Sequence, residues 1–374
     1  MEGQRMKYRV TALTPLLVSN GEQLSPIDYM VYKDQVSVLD QNRIFRLLAK
    51  GPRLEGYLTQ LRRADKLDFA SWGGFAQNFA SHRIPFEHAS AAQAWAGTRV
   101  ADLFIPTFNA STQGPYIPGS ALKGALRTGY VFAHANPNML ESAAASLNED
   151  RPNLWRVADE AEHRTAGNGQ SSRMRPIMMA DSSAVSREQF KVYLVRTAKL
   201  EERAGKFGVS FKPTPVFAEM ASPGTQFEGM FGGHNERFNQ PEVLRALRWK
   251  EPVSMESLAT SANKFAAQLL EAEKLYAERS GLTVLAQTVA ALSNELASTQ
   301  MNCCLLPLGW GGGFLSKVGF GNPESSDYRK LLRAIPFYQK AVQTGLPFPK
   351  TRKIVHVNGQ PAALPGWVKL EILG

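Results

Sequence analysis

The order of strand and helix signals constrains this chain more than any other feature, because the two do not alternate. Residues 5–18 alternate loosely between apolar and polar and contain β-branched side chains, which predicts an opening strand. Tyr29-Met-Val-Tyr32 and Val36-Ser-Val-Leu39 flank the polar turn Lys33-Asp-Gln35, the pattern of a β-hairpin. Asp40 is placed to cap a helix through Ile44, Phe45, Leu47 and Leu48, closed by Gly51-Pro52. Helical spacing returns at Ala121-Leu-Lys-Gly-Ala-Leu-Arg127, and strand-like segments follow at 176–180, 189–197, 215–220 and 226–231, with Ser222-Pro-Gly224 as a turn. The Ala-, Leu- and Glu-rich stretch 255–300 predicts two helices broken near Ser280-Gly281, and 366–373 predicts a last strand. A doubly wound sheet needs a helix between successive strands. Several strands in a row argue instead for an α+β fold of two antiparallel halves.

At 374 residues the chain has room for two domains and a full core. Its 44% hydrophobic and 20% charged residues exclude a disordered, collagen-like or coiled-coil chain. Residues 68–106 are rich in Phe, Trp, Ala and Gly with little period, which reads as an insertion or protruding hairpin. Residues 136–172 are polar and acidic and end in Gly167-Asn-Gly-Gln-Ser-Ser172, a loop composition. Cys303 and Cys304 are adjacent in one apolar stretch, which suits neither a disulfide framework nor a zinc site and points to a reducing, cytoplasmic setting. Met1–Val10 has no apolar run behind its charges, so no secretory signal is expected. No stretch approaches the ~18 apolar residues of a membrane helix, so no membrane partner is expected either.

Lys and Arg number 43 against 33 acidic residues, a formal charge of +10 that favours a polyanionic partner. The excess is placed rather than spread. Residues 164–212 hold 10 basic and 4 acidic residues, and residues 310–353 hold 8 and 2. Residues 1–67 are net +4, 68–163 and 213–309 are each net −3, and 354–374 are balanced. If the two strongly basic segments share a face, they form a stripe that can track a phosphate backbone. Otherwise they are solvated surface.

Two motifs are candidates for holding that backbone. In Gly114-Pro-Tyr-Ile-Pro-Gly119-Ser-Ala-Leu-Lys123-Gly-Ala-Leu-Arg127 the glycines have phosphate-loop spacing, but Ser120 stands where a nucleotide-binding loop demands Lys. An NTPase is therefore not expected. Ser120 is placed to cap a helix whose free amides and dipole favour an anion, and Lys123 and Arg127, four apart, share a face. An ordinary capped helix with two solvated cations fits the same residues. The second motif, Leu308-Gly-Trp310-Gly311-Gly312-Gly313-Phe314-Leu-Ser316-Lys317-Val-Gly319, has five glycines in the eleven positions from Gly309. Such a loop allows positive φ, close backbone approach and an anion-binding nest. Trp310 and Phe314 offer stacking faces for bases, and Lys317 supplies charge. A tight structural loop with two core aromatics is the alternative.

No catalytic constellation emerges. His82, His88, His134, His163, His234 and His356 lie far apart, none beside a nucleophile motif, and no H-E-x-x-H or C-x-x-C occurs. Asp28 is an isolated acid where hairpin meets loop, available in principle to a metal or a ribose hydroxyl. No catalytic residue, metal or cofactor is expected.

The segment Pro115-Tyr-Ile-Pro-Gly-Ser-Ala-Leu-Lys-Gly-Ala-Leu-Arg127 resembles the signature of the RAMP superfamily of CRISPR effector subunits, and the Gly309–Gly319 loop resembles its glycine-rich loop. Leu13-Thr-Pro-Leu-Leu-Val-Ser-Asn-Gly21, Ile27-Asp-Tyr29, Met179-Ala-Asp-Ser-Ser183 and Phe217–Phe227 are similar to the fifth-subunit family of type III-A (Csm) complexes. The resemblance implies two ferredoxin-like (RRM-like) halves. These are residues 1–165, with the 68–106 insertion as a thumb, and 166–374, with helices over 255–300 and the 309–319 loop. It also implies a non-catalytic subunit that caps the effector filament near the 3′ end of the CRISPR RNA (crRNA). Its partners would be that crRNA, the paired target RNA, and the backbone and small subunits. By this analogy Gly119, Ser120, Lys123, Arg127, Gly311, Gly312, Gly313, Ser316 and Lys317 meet RNA. The alternatives are a RAMP-family endoribonuclease acting on repeat or target RNA, and a protein adaptor that touches no RNA.

Overall fold

Apolar residues at Tyr8, Val10 and Ala12, two apart, turn one face of the first strand into the main core. The structure, a computed structural model, describes residues 5–63, 78–135, 145–146, 162–232, 236–317, 325–342 and 346–373. The chain runs through β1 (Arg5–Ala12), β2 (Gln23–Leu24), β3 (Tyr29–Tyr32), β4 (Gln35–Leu39), α1 (Gln41–Leu48), α2 (Leu54–Arg63), β5 (Ala80–Pro85) and α3 (Ala89–Ala96). Next come β6 (Ile105–Pro106), β7 (Ala110–Ser111), β8 (Gly114–Pro115), α4 (Gly119–His134), β9 (Met178–Ser182), β10 (Phe190–Arg203), β11 (Lys206–Phe211), β12 (Val216–Ala221) and β13 (Gln226–Gly232). Last are α5 (Pro241–Leu247), α6 (Met255–Ser280), α7 (Thr283–Ala297), β14 (Cys303–Pro307), α8 (Ser326–Ala334), β15 (Thr351–Val357), β16 (Gln360–Ala363) and β17 (Trp367–Leu373).

The first five-stranded sheet has the order β14-β17-β1-β13-β9, with every pair antiparallel. Its inner face carries Tyr8, Val10, Phe227, Phe231, Cys304, Leu306, Val368 and Leu370, and packs against Leu122, Leu126 and Val131 of α4 and Leu258 and Ala262 of α6. The helices cross where a Cβ on Gly129 would come within 2.8 Å of the Ala262 Cα, so a small residue sets their spacing. The second sheet has the order β11-β10-β15-β16, with β12 also on β10. β11 and β12 share one edge of the long β10, and β15 takes the other. One mixed α+β body with antiparallel sheets results, as the element order predicts. The expected division at residue 165 does not divide the sheets: β1 sits in the middle of one whose other four strands come from 178–373.

Local signals land close to their elements. The β3–β4 turn places Lys33 and Asp34 at positive φ, the geometry a two-residue hairpin requires. Asp40 accepts from the Arg43 N–H at 3.0 Å and so caps α1. Gly281, at φ +69°, ends α6 and lets α7 begin two residues later.

One expectation is corrected. The described part of the 68–106 insertion is not a protrusion: β5 pairs with β4, and Ala91, Ala92 and Trp95 of α3 bury with Leu103 and Ile105 against Val192, Leu194 and Phe217. Apolar content without a clear period is here the core of a small third sheet, β3-β4-β5. The rest of that insertion, 68–77, and most of the polar stretch 136–172 lie outside the described residues, as do Val318, Gly319 and His234. The two basic segments, for their part, do meet, since β10 pairs with β15 from Val195↔Val355 to Lys199↔Thr351.

Candidate nucleic-acid interface

The two glycine motifs, 190 residues apart from Gly119 to Gly309, line one cleft of about 680 Å³. Ser120, Ala121, Gly124, Ala125 and Thr128 of α4 make one wall. Leu308, Gly309, Trp310, Ser316 and Lys317 make the other, and the segment from Val18 to Gln23 closes the side.

On the helix wall, Pro118 occupies the N-cap position and makes no side-chain cap, so Ser120 lies inside the first turn rather than capping it. Its side chain is free to face the cleft. The first amide, Gly119 N–H, donates to Asp181 Oδ1 at 2.9 Å, so an internal carboxylate already occupies part of the anion site expected there. Gly119 is a packing glycine: a Cβ would run into the Met179 carbonyl oxygen of β9. Ile117 N–H donates to Ser182 Oγ at 2.9 Å and fixes the same junction. Arg127 is held by Glu162 at 2.6 Å and is not a free cation. Lys123 is half-buried, which pushes its ammonium pKa down.

On the loop wall, Gly309, Gly311 and Gly313 have φ of +78°, +92° and +77°. Gly309 lies against the Leu17 carbonyl, and Trp310 N–H donates to that same oxygen at 2.7 Å. A Cβ on Gly311 would stand 2.6 Å from Pro365 Cγ, and one on Gly312 would stand 2.6 Å from Ser316 Oγ. Only Gly313 faces open space. Ser316 is buried and bonded to Gly313 O at 3.1 Å, so its hydroxyl serves the loop. Lys317 is exposed and reaches Gly309 O at 3.1 Å. Phe314 is not a stacking platform, because it packs edge-on against Tyr338 and Phe348. Trp310 remains half-exposed, with Lys353 Nζ 3.7 Å from its ring centroid.

Partial desolvation of the ammonium lowers the pKa of Lys317, otherwise an exposed residue, and of Lys353, as it does that of Lys123. Partly desolvated ammonium groups recover interaction energy from an anion that replaces their lost water. With Lys317 on the loop backbone and Lys353 over the Trp310 ring, the wall offers both charge and a stacking face. Lys353, Asp181 and the Val18–Gln23 wall were not singled out as site residues by motif reading. The Leu13–Gly21 and Met179–Ser183 likenesses were the available signal.

Several of the groups that suggested cleavage have structural partners. Asp28 Oδ2 accepts from Ser25 N and Ser25 Oγ at 2.7 and 2.5 Å, so it closes a turn. His82 sits 3.4 Å from Arg187, and burial together with that guanidinium pushes its pKa down to about 4. His88 caps α3, and His134 stacks on Tyr130. Among the described residues no three of His, Cys, Asp and Glu stand where they can hold a metal ion, and no helix is long and apolar enough to cross a membrane.

The chain matches the RAMP superfamily over residues 9–316, and it belongs to that superfamily. Its particular likeness is to the CRISPR system Cms protein Csm5 of Methanocaldococcus jannaschii, 22% identical over 409 aligned positions covering 99% of this chain and 90% of that protein. Among solved structures, a chain of the cryo-EM Csm–crRNA–target RNA ternary complex of a type III-A CRISPR-Cas system superposes with a TM-score of 0.66 at 19% identity, covering 98% of this chain and all (100%) of that one. The crystal structure of T. onnurineus Csm5 gives a TM-score of 0.62 at 19% identity, covering 96% and 99%.

Proposed function

We propose that this chain is a non-catalytic, crRNA-binding subunit of a type III-A CRISPR effector, seated near the crRNA 3′ end beside backbone and small subunits and the paired target RNA. The observation that carries the reading is the cleft itself. Two motifs read separately as phosphate-binding converge on one space that offers Ser120, Lys317 and the half-exposed Trp310. Superfamily membership and full-length likeness to Csm5 proteins supply the assembly. In this reading Lys123 and Lys317 meet phosphates, the Gly313 backbone approaches the strand and Trp310 stacks a base. In this reading two ferredoxin-like halves, residues 1–165 and 166–374, interleave through β1. The setting is the cytoplasm.

The test is RNA affinity of the purified chain across a salt series, for wild type and Lys123→Ala/Lys317→Ala. Loss of two phosphate contacts lowers the log–log salt slope for a single strand by about 1.4. An unchanged affinity and slope, with the thermal midpoint retained, refutes the assignment. Guide-paired target RNA and repeat RNA stay intact in the same samples, with and without a divalent metal. Cleavage in either would establish the endoribonuclease instead.

A further inference from the structure

Outside the cleft, α1, the turn after it and α2 form a helical hairpin whose charge the cleft does not use. Residues 41–63 carry Arg43, Arg46, Lys50, Arg53, Arg62 and Arg63 against the single acid Glu55. All six cations are exposed. Ile44 and Leu48 turn inward with Leu39 and Tyr57, and at 100° per residue this leaves Arg43 and Arg46 on the far side of α1.

The balance is what sets this segment apart, six cations to one acid in 23 residues. Some cations elsewhere do find acids: Arg9 with Glu228, Arg99 with Asp102, Arg127 with Glu162, Lys199 with Glu201. On the hairpin, Arg46, Lys50, Arg53, Arg62 and Arg63 have no ion-pair partner among the described residues. Favourable placement at helix C-termini accounts for Arg46, Arg62 and Arg63. It does not account for Lys50 and Arg53, which lie in the connecting turn. Like charges held at close quarters oppose folding, so the hairpin is fastened by other means. Gln41 Nε2 donates to Ile27 O at 2.6 Å, and Tyr57 OH bonds the same glutamine side chain.

Those fastenings also locate it. Ile27, gripped by Gln41, is four residues from Gln23 in the cleft wall, at most about 14 Å of extended chain. Resting on the RNA-binding reading of the cleft, we infer that the α1–α2 hairpin is a second RNA site. It binds, through phosphates and without base readout, the stretch of single strand that leaves the cleft past Gly21–Gln23. Unpaired surface guanidinium and ammonium groups in a turn suit a flexible polyanion, which can reach each in sequence.

The experiment compares the full-length wild type with Arg46→Ala/Lys50→Ala/Arg53→Ala, whose replaced side chains make no described contact with the hairpin core. Two oligouridylates are used, one short enough to fill only the cleft and one several times longer, each over a salt series. Short-strand binding stays unchanged. For the longer strand the salt slope falls by about 2, which at ~0.15 M salt is on the order of a fiftyfold loss of affinity that closes near ~1 M. Identical binding of the longer strand by both proteins overturns the second site. Equal loss for both lengths overturns it too, since the hairpin would then act through the cleft. Unchanged RNA binding with failure to co-purify in the assembled effector would make the hairpin a protein contact and overturn it as well. Should Lys123→Ala/Lys317→Ala leave short-strand binding intact while the hairpin variant still weakens the longer strand, the cleft reading fails and the hairpin site stands.

Discussion

The two walls of the cleft use glycine for different ends. On the helix wall Gly119 removes a side chain so that α4 can start against the β9 backbone, and it has an ordinary helical φ. On the loop wall Gly309, Gly311 and Gly313 supply positive φ, and the first two also press against Leu17 and Pro365. Among the described glycines of these two motifs, only Gly313 has both positive φ and open space beside it. A glycine-rich motif is thus a mixture of packing, dihedral and open positions. Substitution by alanine separates them.

The largest effects belong to Gly309→Ala and Gly119→Ala. Each drives a Cβ into a backbone carbonyl, Leu17 O or Met179 O, which no rotamer change relieves. Both lose at least about 3 kcal/mol of stability, the upper range for overpacking, and Gly309→Ala loses more because its φ of +78° adds a further penalty. Urea unfolding midpoints measure this. Near-native stability of Gly119→Ala would show that α4 can shift on β9 and that the two walls are not rigidly opposed.

Gly313→Ala comes next. With no neighbour within 4 Å the cost is the dihedral alone, roughly 1–2 kcal/mol. In the same protein RNA affinity falls, because the added methyl stands where the strand approaches the backbone. A stable Gly313→Ala with undiminished RNA binding would move the strand away from this loop tip.

How much of this was legible follows from the range of the signals. Asp40 capping α1, the Lys33-Asp34 turn and the Gly281 break are local, so a window of a few residues contains them. The partners of β1 are not local: Tyr8 pairs with Gly229 and Ile372, more than 200 residues away, beyond any window that a strand pattern covers. Both cleft motifs were visible as motifs, yet only the fold brings residues 120–128 and 308–317 to one cleft. Ser120 read as a cap because nothing in sequence tells that Pro118 takes that position, and Arg127 read as free because Glu162 lies 35 residues on. Phe314 and Trp310 have the same base-stacking chemistry, and only packing distinguishes the core ring from the available one.

The smallest effect tests why the walls differ in charge. Asp181 holds the Gly119 amide next to Ser120 of the helix wall, whereas Lys317 lines the loop wall and Lys353 lies over its Trp310 ring. Asp181→Asn keeps an oxygen acceptor for that amide and removes the charge. Exposed carboxylates at helix N-termini contribute about 0.3–1 kcal/mol, so stability drops by that much in low salt. RNA affinity moves the other way, rising about twofold to fivefold at ~0.15 M salt as a repelling charge within a Debye length of the strand is lost. Both changes vanish near ~1 M salt. If stability falls while RNA affinity stays level, the strand does not pass the start of α4. The helix wall would then shape the cleft without touching RNA, leaving the loop wall to hold it.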